Sequence, residues 1–203
     1  MKTVAVLFAR SDSNYKQIEG CDVFDIERDA RNWMGGSAVV AHPPCRAWGR
    51  LRHFAKPRHD EKDLALFAVE QIRKNGGVLE HPESSLLWPT AKLPWPGRYD
   101  QFGGWTLPVH QFWFGHRAQK KTWLYIVGCA PKDIPAIPLR LGVSECVIRL
   151  DKRRADGTHI RKGDKDWRQP LGHAEREHTP PEFAEWLVEL ARRCSPAQME
   201  IAA

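Results

Sequence analysis

The 203-residue sequence predicts an α/β fold built on a mainly parallel sheet flanked by helices, and three observations predict it. Short apolar runs recur at 3–9 (TVAVLFA), 21–26 (CDVFDI), 37–42 (SAVVAH) and 76–81 (GGVLEH), each bounded by glycine or polar residues as buried strands are. Between the last two lies DEKDLALFAVEQIRKN (60–75), with Leu64, Phe67, Ala68, Gln71 and Ile72 at helical spacing, acids in its first turn and Arg73 and Lys74 in its last. That charge order suits the helix dipole, and Gly76 and Gly77 stop the helix. A strand, a crossover helix and a strand make a parallel pair, whose ligands lie outside the carboxyl ends of the strands.

The remaining elements follow in order. Residues 86–104 (LLWPTAKLPWPGRYDQFGG) are rich in Pro, Trp and Gly without clean periodicity and read as an ordered excursion over the surface. KTWLYIVG (121–128) returns as a strand, and a proline-punctuated connection follows it. The stretch 147–168 (VIRLDKRRADGTHIRKGDKDWR) is densely charged, and its Asp-Gly suggests a hairpin. The chain closes on HTPPEFAEWLVELARR (178–193): Thr179 as N-cap, Pro180 or Pro181 opening a helix, and Phe183, Trp186, Leu187 and Leu190 forming one apolar stripe.

Length and composition fit one domain, 1–203, that needs no staples. Five scattered cysteines without a CxxC pair argue against a disulfide framework or a zinc ribbon and fit a reducing, cytoplasmic setting. No apolar run reaches the length of a membrane span, and MKTVAVLFARSD turns charged too soon for a signal peptide. A net charge of +6 and nine tryptophans favour a polyanionic partner with bases to stack, although a mildly basic enzyme with a small substrate has the same composition.

Two segments place chemistry at strand ends. HPPC delivers His42, Pro43, Pro44 and Cys45 to the end of one strand, and EHP delivers Glu80, His81 and Pro82 to the end of the next. Read alone, Cys45 is either a packed thiol or a nucleophile, and Glu80 either a structural ion-pair partner or a site residue. His42, His81 and Cys45 also invite a zinc site. Zinc deaminases carry His-x-Glu ahead of Pro-Cys-x-x-Cys, whereas here Pro-Cys comes first and its last position is Trp48, so no metal is expected.

With Gly-His-x-x-x-Lys-Lys-Thr at 115–122, these segments resemble, in order along most of the chain, the DNA cytosine-C5 methyltransferases, above all compact phage-type members. The resemblance implies a trimmed methyltransferase-like (Rossmann-type) sheet, with 129–176 holding a reduced DNA-recognition insertion. It implies DNA as partner, with a cytosine flipped out of the stack. Cys45 would attack C6 and Glu80 would contact N3 and the amino group. Lys121 would be the basic residue beside them, and basic neighbours would favour the thiolate. Pro44, Trp48, His81, Pro82, His116, Gln119 and Thr122 would line the base side. Phe8, Arg10, Asp12, Glu27 and His42 fall where the family binds its methyl donor, implying S-adenosylmethionine or a derivative. The chain departs from the family in having ARSDS (9–13) for the glycine-rich loop, His81 for asparagine, and a short run from 28 to 42. Two rivals therefore stand: a thiol-adduct enzyme that hypermodifies or deaminates a pyrimidine or handles a free nucleotide, and a protein that binds or shields DNA without chemistry.

Overall fold

Strands β1 (Val4–Leu7), β2 (Cys21–Phe24), β3 (Ala38–Ala41), β4 (Gly77–Pro82), β5 (Trp105–His110) and β6 (Lys121–Val127) form one sheet in the order β2-β1-β3-β4-β6-β5. The computed structural model describes residues 2–50, 52–148 and 153–196. The first four strands are parallel, and β6 runs antiparallel between β4 and β5. The α/β class and mostly parallel sheet expected from the sequence are thus present, in an arrangement compatible with a Rossmann-like fold. The chain leaves β1 toward β2 on one side and returns to β3 on the other, so the strand order reverses at β1, where open α/β sheets form a ligand crevice.

Both faces of the sheet are covered, which is why its strands read as nearly continuous apolar runs. Val4, Val6, Val40, Val78, Leu124 and Ile126 face helix α4 (Pro181–Arg193) through Phe183, Leu187 and Leu190. Ala5, Leu7, Val39, Ala41, Leu79 and Val127 face helix α1 (Glu61–Asn75) through Ala65, Ala68, Val69 and Ile72. The stripe of α4 is buried as its spacing requires, and Leu187→Ala would open a cavity costing about 2–5 kcal/mol. Pro180 holds the cap position of α4, while the Thr179 carbonyl accepts a hydrogen bond from Asn14 Nδ2 at 2.9 Å.

Strand β5 is not legible in the sequence. It is an edge strand, so Pro108 leaves no inner ladder bond unmade. The excursion before it is pinned by the short helix α2 (Leu87–Thr90), whose Trp88 is buried and donates from Nε1 to the Pro82 carbonyl at 2.9 Å. Beyond β6, two short strands pair in parallel, β7 (Cys146–Val147) and β8 (Gln169–Pro170), ahead of helix α3 (His173–Glu177). The charged hairpin is present as an Arg153–His159 bridge, and Arg154 pairs with Asp164 and Asp166 at 2.7 and 2.6 Å. Lys152, the start of the basic stretch, lies outside the described residues. Among the described residues, no helix is long and apolar enough to cross a membrane.

Candidate functional site

The register of the sheet creates the site. Ala41, the last residue of β3, pairs with Leu79, so β4 overhangs it by Glu80, His81 and Pro82. Side chains alternate faces, so the face that carries Val40 and Val78 carries His42 and Glu80 one step further along, with Leu124 opposite Glu80, and Thr122 and Gln111 follow Leu124 and Val109 on the neighbouring strands. His42 and Glu80 of this polar layer, with Tyr15, line a cavity of about 360 Å³ that is walled by the chain leaving β1 (Phe8, Arg10), by Pro43 to Arg46, by Lys120, and by Arg176 to Thr179.

The layer is internally bonded. Tyr15, from a 3-10 turn at Asn14–Gln17, lies 2.7 Å from His42 Nε2 through its hydroxyl, and His42 Nδ1 lies 3.1 Å from Glu80 Oε2. Gln111 Nε2 donates to Glu80 Oε1 and to Thr122 Oγ1, both at 3.0 Å. Burial acts to raise the Glu80 pKa, but the hydrogen bond from His42 and the positive charge of Lys120 outweigh it and hold the carboxyl down to about 2. Glu80 is therefore ionised. Burial, then the charge of Glu80, pushes the Tyr15 phenol well above its ordinary value, so it keeps its proton.

The Cys45 loop is anchored from behind. Arg46 forks onto the buried Glu61 in the first turn of α1 at 2.9 and 2.6 Å, and the buried Trp48 donates from Nε1 to the Lys62 carbonyl at 3.2 Å. The Cys45 carbonyl caps the turn by accepting from the backbone N–H groups of Trp48 and Gly49 at 3.0 and 2.9 Å. Cys45 itself is exposed, while the other described cysteines are partly or fully buried. Desolvation by the cavity wall, then the charge of Glu80, pushes its thiol up, and Lys120 pulls the other way. The net direction is opposite to the thiolate-favouring environment that the basic sequence context suggests.

Of the residues singled out in the sequence, Cys45, Glu80, Pro44, Pro82, Phe8, Arg10 and His42 line this one cavity. The others sit elsewhere. Lys121 points to solvent, 4.0 Å from Glu83, and the lysine at the cavity is Lys120, whose carbonyl accepts from the Gln111 N–H at 3.0 Å. Trp48 packs in the core beside α1. His81 is fully buried beyond the cavity wall, and its pKa is pulled by burial to about 4. His116 is buried against its own turn, with Nδ1 at 2.7 Å from the Ala118 carbonyl, while Gln119 is exposed. Thr122 reaches the site only through Gln111. Asp12 pairs with Arg10 at 2.9 Å and His178 at 3.2 Å, and Glu27 is exposed and away from the cavity. Tyr15, Gln111, Lys120 and the 176–179 segment are the participants that sequence reasoning missed.

The ends of β1 and β2 do not fit a nucleoside-type methyl donor. The acid buried there is Asp25, and its oxygens are taken by Lys16 at 2.7 Å and by the backbone N–H groups of Glu27 and Arg28 at 3.1 and 3.2 Å. Arg10 is held by Asp12 and Glu177, and Tyr15 fills the space beside His42. The 3-10 turn between β1 and β2 offers no long helix N-terminus for an anionic group. Among the described residues, no group of three or more His, Cys, Asp or Glu side chains is placed to hold a metal ion.

Neither a family model, nor a curated protein, nor a solved structure matches the chain.

Proposed function

We propose that the protein is a thiol-dependent pyrimidine-modifying enzyme acting on cytosine in DNA, with Cys45 as the nucleophile at C6 and Glu80 at the N3 edge. The observation that carries this reading is that Cys45 and an ionised, doubly hydrogen-bonded Glu80 line one cavity. Its resemblance-derived counterpart is the order of the three motifs along the chain.

The chemistry follows from the two groups. The thiol proton of Cys45 passes to N3, the sulfur adds to C6, and the electron pair of the C5–C6 double bond shifts toward C4. A carboxyl held down to about 2 is a weaker base than cytosine N3, so the proton rests on the ring and Glu80 accepts from the N3–H. A ring protonated at N3 is the electron-deficient form that a soft sulfur can attack. The adduct makes C5 nucleophilic. C5 can then take a deuteron from heavy water, and loss of its original hydrogen and of the thiol restores cytosine. The base must leave the stack to reach the cavity, at a cost of a few kcal/mol. Lys120 supplies a positive charge beside both reacting groups.

The direct test needs no donor. Single-stranded cytosine DNA is incubated with the protein in heavy water and the released deoxycytidine is weighed, alongside nucleosides from cells expressing the protein. Deuterium gained at C5, lost in Cys45→Ala, supports the reading; no exchange and no new nucleoside mass refutes it. The occupied acid and arginine at β1 and β2 favour a second reading, in which the enzyme modifies the pyrimidine with no nucleoside donor.

A further inference from the structure

Glu80 accepts along its two oxygens, and the proton arrangement behind it is fixed by donor counting. An ionised carboxylate offers no hydrogen, so the 3.1 Å contact requires that His42 Nδ1 carry one. In a neutral imidazole, Nε2 is then bare, and it accepts from the Tyr15 hydroxyl at 2.7 Å. Tyr15 is 1% exposed and lies ring to ring with His42, their centroids 5.4 Å apart. The hydroxyl cannot turn to another partner without leaving a buried polar atom unpaired. The amide of Gln111 fixes the other carboxylate oxygen in the same sense.

We infer that Tyr15 and His42 are positioning residues, Tyr15 locking His42 in the Nδ1–H tautomer and His42 holding Glu80 as a pure acceptor turned to the cavity. This rests on the proposed pyrimidine chemistry only for its consequence, because the lock itself belongs to the empty protein. The consequence is selectivity by hydrogen: the edge that meets Glu80 must bring its own N–H, as the amino group and protonated N3 of cytosine do. Tyr15 lies outside the motifs of the family resemblance, and His42, which the resemblance assigns to a methyl donor, is here given a different role. Lys120 before β6, Cys45 after β3 and Cys21 on β2 act on this assembly by charge, as does His81 from the far face of β4, and Arg10, Arg46, Arg176, Glu177 and His178 line the same cavity.

Two measurements on the full chain test the lock. Nitrogen–proton correlation spectra of the histidine rings, assigned with His42→Asn, read the tautomer directly. The wild type is expected to show a protonated Nδ1 and a bare Nε2, and Tyr15→Phe to show a growing Nε2–H population. A wild-type Nε2–H tautomer, or a doubly protonated ring at neutral pH, overturns the inference. In the C5-exchange assay, Tyr15→Phe is expected to lower kcat about tenfold, equivalent to ~1.4 kcal/mol, with KM little changed. His42→Asn, which can still donate to Glu80, should retain more activity than His42→Ala. Unchanged kcat in Tyr15→Phe, or equal loss in both His42 variants, also overturns it. If the wild type exchanges nothing, the C6-adduct reading falls and the spectra alone decide the lock.

Discussion

His81 makes the protein acid-labile over a window that the structure defines. It alternates with Glu80 along β4 and so turns to the opposite face of the sheet, where it is 0% exposed and neither ring nitrogen has a hydrogen-bond partner among the described residues. Burial pulls its pKa to about 4, with the Glu80 charge opposing only in part. Between the ordinary histidine value of about 6.5 and the folded value, the unfolded chain binds a proton that the folded chain does not. Stability therefore rises with pH across this window and is lost as the pH falls through it. The gap from about 6.5 to about 4, at about 1.36 kcal/mol per unit, is on the order of 3 kcal/mol, a large part of a stability of about 5–15 kcal/mol. The perturbation is His81→Leu, which removes the titration and both unpaired nitrogens, and the assay is urea unfolding from about pH 7 to about pH 4. The wild type should lose that amount and the variant correspondingly less. His116, buried and shifted in the same direction, leaves a shared residual slope. Equal slopes in the two proteins would refute the reasoning.

Three further outcomes follow from the site and its supports. Arg46→Ala leaves the buried Glu61 carboxylate without its fork and should cost about 1–3 kcal/mol in urea unfolding, toward the lower end because Arg46 is half exposed. Gly128→Ala should lower the melting temperature sharply, because Gly128 has φ +84° and a Cβ there would collide with the Ser195 backbone. Lys120→Met removes a positive charge at the cavity that lowers the Cys45 pKa, so the pH midpoint of Cys45 alkylation should move up. The same variant should weaken DNA binding and flatten its salt dependence by about one phosphate contact if Lys120 meets the backbone.

What the sequence reveals and what it hides have separable causes. Helices α1 and α4 and the first four strands are legible because burial on both faces or along one stripe writes itself into residue periodicity. Cys45, Glu80 and His42 are legible as a group because each follows an apolar run at a strand end. The choice between Lys120 and Lys121 is not, because neighbours on an extended chain face opposite ways. Only the pairing of Glu80 with Leu124 shows that Lys120 and Thr122, two steps apart like Thr122 and Leu124, share the Glu80 face. The same parity removes His81 from the cavity. Tyr15 has no local signal at all: NYKQ looks like a polar turn, and its role appears only when β1 and β3 lie side by side.

The charge on Glu80 works on the two reacting groups in opposite senses, and this distinguishes the proposed chemistry from mere damage to a pocket. In the empty cavity the carboxylate pushes the Cys45 thiol up and so keeps the nucleophile quiet. When a base takes a proton at N3, the positive ring neutralises that carboxylate, which removes the larger of the two negative charges acting on the sulfur and leaves Lys120 opposed by burial and Glu177. Glu80→Gln removes the negative charge at nearly constant shape. It should shift the pH midpoint of Cys45 alkylation down, so that iodoacetamide reacts faster at a given neutral pH, with Cys45 the exposed thiol that reports it. The same substitution removes the acceptor of N3–H, and deuterium exchange at cytosine C5 should fall by about 10²-fold, the usual cost of losing one preorganised partner of a developing charge. A loosened cavity would depress the exchange without moving the alkylation midpoint down. An alkylation midpoint that stays in place or moves up would show that Glu80 does not govern the thiol.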